Sequence, residues 1–515
     1  MMKEDSCTRF SSILSAMYFL GYDLGSSSVK ACLFDGETGR AVARSSHPDE
    51  EMPIAAPRPG WAEQDPESWW ESAKRATERL LWSVPLNPKD VGGIGISYQM
   101  HGLVLVGEQG EVLRPSIIWC DSRAVEIGNE AFQALGEVLC LEHLLNSPAN
   151  FTASKLRWVR ANEPEVFGRI HKVLLPGDYF AFRLTGRAAT TLSGLSEGIF
   201  WDFAENRVAD FLLRHYEVGE DLLPEIVPTF GEQGRLTAEA ARALGLAPGT
   251  PVTFRAGDQP TNALSLNVLE PGEIAATAGT SGVVYGVTDV VRADPRSRVG
   301  SFAHVNHSSE SVRLGVLLCI NGTGSANRWL RQSLGKTDYE DLNRLAATAP
   351  VGSDGLLFYP FGNGAERMLE NLDPGASLRG LRFNSHGEAH LARAVQEGIA
   401  FSFRYGIGIL EEVGLHPKVM RSGLGNMLLS PLFRDALTGV TGCTLELYRT
   451  DGATGAARGA ALGAGFYRSP SEAFRGLELE ATIEPDPERA PRYREAYETW
   501  AEGLSLTLRE NPPGT

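Results

Sequence analysis

The chain has 515 residues, 43% of them apolar, enough to bury at least two cores at the roughly 100 to 200 residues of an ordinary domain. Lys and Arg number 48 against 64 Asp and Glu, a formal net charge of −16, which argues against nucleic acid or an anionic membrane surface as a partner. That field does not exclude one small anion, because a single pocket can offer backbone N–H groups and a metal while the surface as a whole repels.

Six cysteines, Cys7, Cys32, Cys120, Cys140, Cys319 and Cys443, lie far apart without a C-x-x-C pair. They read as buried free thiols in a reducing cytoplasm, not as zinc ligands or disulfides. Residues 1–17 carry Lys3 beside Glu4 and Asp5, and their apolar stretch is broken by serines, so they do not read as a signal peptide; a disordered extension, or a start codon assigned too early, is the expectation. No run approaches the roughly 18 apolar residues that a membrane-crossing helix needs.

Order is expected from Tyr18. An apolar run ends at Asp23-Leu24, the turn Gly25-Ser26-Ser27-Ser28 follows, and a second apolar run ends at Asp35-Gly36, which predicts a tight hairpin. Asp65 is a good N-cap and Pro66 suits a first helical position, so a helix is expected ahead of Trp69, Trp70, Ala73 and Leu80. Val91 to Ser97 reads as a short buried strand, followed by the loop Tyr98-Gln99-Met100-His101-Gly102 and a further strand over 103–107. Strand patterns recur at 172–176 and 250–258. A second hairpin is predicted around Gly279-Thr280-Ser281-Gly282, echoing the first half a chain later, and this suggests a duplicated architecture with a hinge near 265–272. Helical spacing then marks 391–413 and 431–440.

Three common motifs fail. Gly335-Lys336-Thr337 has Leu330 where a Walker-type loop needs its first glycine, and no G-x-G-x-x-G exists. Gly194-Leu195-Ser196-Glu197-Gly198 spells a nucleophile elbow, but its flanks do not supply the strand and helix that such a serine needs.

The first hairpin supports a sharper reading. Gly25 to Ser28 offer small-residue N–H and hydroxyl groups to a phosphate, and Asp23 could hold Mg²⁺ directly or through water. Lys30 either adds a cation or points to solvent. A second such turn fits the phosphate chain of one nucleotide held across a cleft. Asp258, after a strand ending in Ala256-Gly257, is placed to take a proton from a substrate hydroxyl, with Gln259 able to hydrogen-bond the same substrate. Two anion-binding turns, a metal-holding acid and a base fit phosphoryl transfer.

These segments resemble the FGGY carbohydrate kinases, and within them the xylulose-kinase branch. The resemblance rests on Gly21 to Lys30, Gly60-Trp61-Ala62-Glu63-Gln64-Asp65-Pro66 with Trp69-Trp70, Gln99 to Gly102, Ile118 to Arg123, Phe151 to Val159, Lys172 to Tyr179, Gly257-Asp258, Gly279 to Gly282 and Leu391 to Gly398. It runs from about residue 18 to about 500.

The resemblance implies an α/β, actin/hexokinase-like (ribonuclease H-like) fold: two related domains with a cleft between them. Residues 18–268 would be the sugar-binding domain, 269–500 the nucleotide-binding domain and 501–515 a tail. It implies ATP and Mg²⁺, with a small-molecule sugar as acceptor, a cytoplasmic location and a homodimer among the possible assemblies. By motif, Asp258 would be the base and Asp23 would lie near the metal. Met100, His101, Asp258 and Gln259 would meet the sugar, with Trp61 either a pocket wall or a packing aromatic. Gly25, Ser26, Ser27, Lys30, Gly279, Thr280, Ser281, Gly324, Gly425 and Asn426 would meet the nucleotide. Asn426, Met427 and Leu428 stand where the family's adenosine segment has small residues. The implied reaction is phosphorylation of D-xylulose at its terminal hydroxyl, with ribulose, gluconate or glycerol as other acceptors and a non-catalytic ATP and sugar sensor as the rival.

Overall fold

A computed structural model describes residues 17–510. The extension over 1–17, Met17 apart, and residues 511–515 lie outside the described residues. In the first unit, β1 (Tyr18–Leu24) and β2 (Val29–Asp35) form the expected hairpin, pairing Tyr18 with Asp35 and Leu24 with Val29. β3 (Arg40–His47) extends it. α1 (Pro66–Ser83) starts where predicted, and the Asp65 side chain accepts from the Glu67 N–H. β4 (Val91–Tyr98) lies parallel to β1. Helices α2 (Thr152–Asn162), α3 (Pro176–Thr185) and α4 (Leu192–Glu197) follow, then β5 (Phe230–Arg235) and β6 (Pro251–Gly257). The sheet order is β5-β6-β4-β1-β2-β3, and α5 (Asp258–Ser265) begins where β6 ends.

The second unit contains β7 (Ile274–Ala278), β8 (Gly282–Thr288), β9 (Gly300–Ala303) and β10 (Leu314–Ile320). Helices α6 (Gly324–Ser333), α7 (Tyr339–Ala347) and α8 (Glu388–Glu412) come next. β11 (Val419–Gly423), α9 (Pro431–Thr441), β12 (Thr444–Tyr448), α10 (Gly452–Gly463), β13 (Leu479–Ile483) and α11 (Ala490–Glu510) complete the chain. The sheet order is β9-β10-β8-β7-β11-β12-β13.

The two sheets share one plan. In each, an antiparallel meander (β3-β2-β1 or β10-β8-β7) is followed by two parallel strands (β4 and β6, or β11 and β12) and an antiparallel edge (β5 or β13). This is the duplication that the paired hairpins suggested. One core gathers Tyr22, Trp69, Ile96 and Phe180 beside the first sheet; another gathers Val284, Phe401, Phe433 and Trp500 beside the second.

The units are laced together by helices that cross over. α10, from the second half, packs on the first sheet so closely that a Cβ at Gly21 would lie 2.0 Å from the Ala453 carbonyl oxygen, and one at Gly95 would lie 1.9 Å from that of Ala456. Only glycine allows that approach. α5 and the residues after it make the reciprocal move, with Ala263, Leu266 and Val268 buried against Ala275, Tyr285 and Val287. The edge strand β9 is also tied to the first unit. Asn146 donates to the Ser301 carbonyl (2.7 Å) and accepts from its N–H (3.1 Å), while Ser193 Oγ donates to the Ala303 carbonyl and Ser196 Oγ accepts from its N–H (2.9 Å). Ser196 therefore caps a strand edge from inside α4, and does not stand on the strand-to-helix turn that a nucleophile elbow needs.

Two expectations need correction. Of the five described cysteines, all free, Cys120 and Cys319 are exposed, because their loop and strand face open space instead of a core. The chain also stays helical past residue 500: α11 runs to Glu510, and Leu504 joins Trp500 in the second core. No described helix is long and apolar enough to cross a membrane.

Candidate active site

The hairpin β1/β2 delivers Asp23 to a sheet end. Ser97, its register partner on β4, donates to Asp23 Oδ1 at 2.8 Å, and Lys30 Nζ lies 3.6 Å from Oδ2. The other wall is the start of α10, where a Cβ on Gly452 would sit 2.9 Å from the carboxyl group. The turn itself is pinned: Gly25 N–H donates to the Ser28 carbonyl (3.1 Å), and the Ser26 and Ser27 carbonyls accept from Gln64 Nε2 (2.6 Å) and Met52 N–H (2.8 Å). Lys30 is exposed, with its charge still felt by Asp23, Asp451 and Asp258.

Asp258 is the first residue of α5, half-buried where β6 ends. Burial first, then the Asp23 carboxylate, pushes its carboxyl up to about 7. Gln259 Nε2 donates to Asp258 Oδ2 at 3.1 Å, leaving the buried Gln259 Oε1 without a protein partner among the described residues. The glycine before the acid lets two side chains close in, since a Cβ on Gly257 would lie 2.6 Å from both Glu197 Oε2 and Met100 Cγ.

The loop after β4 brings Met100 and His101 to the same place. His101 has a φ of 60°, held by Lys155 Nζ donating to its carbonyl (2.8 Å) and to that of Ile118 (3.0 Å). Its Nδ1 is 2.9 Å from the Glu197 carbonyl oxygen; a carbonyl can only accept, so Nδ1 carries the proton and Nε2 is the free acceptor. Burial, reinforced by Lys155 and Arg367, holds this imidazole down at about 3, so it is neutral at physiological pH. Burial lowers Lys155 to about 8. The ring faces Phe151 at 5.0 Å and Phe302, from the second unit, at 5.2 Å.

Trp61 sits apart. Arg123 (3.8 Å), Arg58 (4.8 Å) and Trp158 (5.1 Å) occupy its ring, and Arg123 is locked to buried Asp121. Among the described residues no recorded contact joins it to His101 or Asp258.

The second turn meets a helix. Gly324 N–H donates to the Gly279 carbonyl (2.8 Å) and Ser325 N–H to that of Thr280 (3.1 Å), and a Cβ on Gly324 would lie 2.4 Å from the Gly279 oxygen. Gly279, Thr280, Gly324 and Asn426 open onto one cavity of about 290 Å³. Ser281 and Gly425 stand beside it in sequence without lining it. The large residues of the 425–430 segment are accommodated: Asn426 turns at a φ of 51°, Met427 contributes an apolar wall and Leu428 is buried. Asn327, Arg328, Tyr339 and Asn343 also line it. Sequence reading missed these four, and Glu197 and Arg367 beside the first site, because nothing local distinguishes them from ordinary helix and loop residues.

The models for the N- and C-terminal domains of the FGGY family of carbohydrate kinases match residues 18–265 and 274–467. With the duplicated fold, they define the class as a carbohydrate kinase. The chain is 32% identical to the xylulose kinase of Escherichia coli K12 over 489 residues, 94% of this chain and 97% of the relative. It is 28% identical to that of Bacillus subtilis strain 168, covering 94% of this chain and 96% of the relative. The solved xylulose kinase of Rhodospirillum rubrum superimposes with a TM-score of 0.83 at 28% identity, covering 96% of this chain and 99% of that one. A "xyloylose kinase" from Brucella ovis gives 0.85 at 30% identity, with the same coverage. The chain belongs to the FGGY family.

Proposed function

We propose that the protein transfers the γ-phosphoryl group of ATP to the terminal hydroxyl of D-xylulose, giving D-xylulose 5-phosphate. The observation that carries this reading is the setting of Asp258: a half-buried carboxyl at a helix start, beside Asp23 and Gln259, with Met100 against the glycine that precedes it. The substrate class comes from relatives named as xylulose kinases that align over nearly the whole chain.

In this reading Asp258 accepts the proton of the attacking hydroxyl as its oxygen bonds to phosphorus, and Gln259 holds the carboxylate in position. His101 offers Nε2 to a sugar hydroxyl, which its fixed tautomer allows. The turns at Gly25–Ser27 and Gly279–Ser281 face the phosphates, and the cavity lined by Thr280, Gly324, Asn426 and Met427 takes the nucleoside, with Gly425 shaping its entrance. Asp23 fits a magnesium ion, which takes one or two carboxylates and fills its other positions with water and phosphate oxygens. When bound, Mg²⁺ would neutralise phosphate charge. Lys30 would add a second, mobile cation. The reading carries a cytoplasmic location, with sedimentation to distinguish a monomer from a homodimer.

The test is ADP release over a panel of D-xylulose, ribulose, gluconate, glycerol and aldoses, with the phosphorylated carbon identified by NMR. D-xylulose is expected to give the highest kcat/KM, and Asp258→Asn to lose at least about a thousandfold in kcat while binding ADP as wild type does. Substantial turnover in that variant would remove Asp258 as base, and a stronger preference for another acceptor would reassign the substrate.

A further inference from the structure

The sugar end of the cleft holds a cation that this mechanism does not use. Arg367 comes from the second unit, at the head of a single turn whose Met368 and Leu369 are buried in that unit's core. Its base is rigid, because the fully buried Glu366 carboxyl accepts from the Asn321 N–H (3.1 and 3.2 Å) and the Glu366 backbone bridges to Leu372. From there the side chain reaches into the first unit. The guanidinium carbon is 5.3 Å from the centre of the Phe151 ring, the ring that meets His101 edge-on. Nε donates to the Ser297 carbonyl at 2.9 Å, close before the tethered strand β9.

What the guanidinium lacks among the described residues is a carboxylate in direct contact; Asp294, itself locked to Arg298, acts on it only at a distance. Arg298, Arg393 and Arg421, comparably placed in the second unit, each pair with one or two carboxylates, whereas among the described residues none pairs with Arg367. Nor does any described acceptor take its two terminal nitrogens. A half-buried cation held on both sides with donors to spare is costly unless a ligand supplies the acceptors. Cys319, exposed on β10, feels this cation as well as the Glu366 and Asp258 carboxylates.

The chemistry divides between two neighbours. His101 Nε2 only accepts and so takes the proton of a hydroxyl; the Arg367 terminus only donates, and a carbonyl oxygen, which only accepts, satisfies it with no hydroxyl proton left to place. Resting on the ketose reading above, we propose that Arg367 is a specificity-determining residue whose terminal N–H groups hold the carbonyl oxygen of a ketose, at the end of the sugar remote from the hydroxyl that faces Asp258.

Arg367→Met and Arg367→Lys test this, using full-length enzyme, D-xylulose and xylitol, the polyol that lacks the carbonyl. Calorimetric titration of D-xylulose without nucleotide is expected to show at least about tenfold weaker binding in Arg367→Met, with partial recovery in Arg367→Lys, since a site built to bond a polar group loses that much when its donor goes. The wild-type preference for ketose over polyol in kcat/KM should fall by a similar factor, with KM for ATP within about twofold of wild type. Equal losses on ketose and polyol, or unchanged D-xylulose binding, would overturn the assignment and leave Arg367 a packing residue. Wild-type enzyme that phosphorylates no ketose would instead overturn the substrate reading itself, before any variant is made. Arg367→Lys keeps the charge and most of the length, so it reports even if Arg367→Met does not fold.

Discussion

Asp258 has to be a carboxylate to accept a proton, and its surroundings resist the charge. Burial and the nearby Asp23 carboxylate push it up to about 7, so turnover is expected to fall about tenfold for each pH unit below 7 and to level off above it. A kcat/KM profile flat from pH 5 to 8 would separate the rate from this group. The same shift has a sign for stability. The folded state keeps a proton that the unfolded chain releases near pH 4, so the penalty is absent in acid, grows from about pH 4 to about 7 and is constant above that. Asp258→Asn removes it. Its Tm should therefore exceed that of wild type at pH 8, with the gain shrinking towards pH 4, as scanning calorimetry can show. The placement of Asp258 was legible in sequence because strand, glycine and acid are consecutive. Glu197 was not, since only folding puts its carboxyl behind Gly257 and its carbonyl on His101.

Elements matter here chiefly where two of them touch without side chains between them. The turn Gly279–Ser281 and the start of α6 are joined by backbone hydrogen bonds at a separation that only Gly324 permits. Gly324→Ala places a Cβ 2.4 Å from the Gly279 oxygen, nearer than any real contact, so the turn or the helix must move. Calorimetry with ADP is expected to show about tenfold weaker binding in a variant with wild-type circular dichroism; unchanged affinity would detach this junction from the nucleotide. Both hairpins could be read from apolar runs around small-residue turns. α1 could be read from Asp65 and Pro66. β9 could not, because it is a short edge strand whose outer backbone groups are satisfied by Asn146, Ser193 and Ser196 from another unit.

At the scale of the whole molecule, two duplicated units are coupled through crossed helices and this side-chain seam. Asn146→Ala leaves the Ser301 N–H and carbonyl without their partner, and Ser196→Ala removes the acceptor of the Ala303 N–H. Each unpaired buried group costs roughly 1 to 3 kcal/mol. Both variants should unfold at lower temperature while keeping kcat at 25 °C near that of wild type. A large loss of kcat with unchanged Tm would show that the seam acts in turnover and not in stability. Survival of phosphoryl transfer in Ser196→Ala would also agree with a serine that only caps a strand.

The sequence by itself determined the two hairpins, the position of the acid after β6, the repeated plan and, through its ordered motifs, the family, because each is written in residues adjacent along the chain. Tertiary structure alone decided that α10 and α5 exchange partners, that the 425–430 segment closes a cavity with Tyr339 and Asn343, and that Arg367 of the second unit lies over Phe151 of the first. Those contacts join residues up to hundreds of positions apart, and their geometry follows from packing two cores against each other. The net charge of −16 kept its early meaning: the surface repels anions, and the proposed nucleotide site would have to attract one locally through its backbone turns.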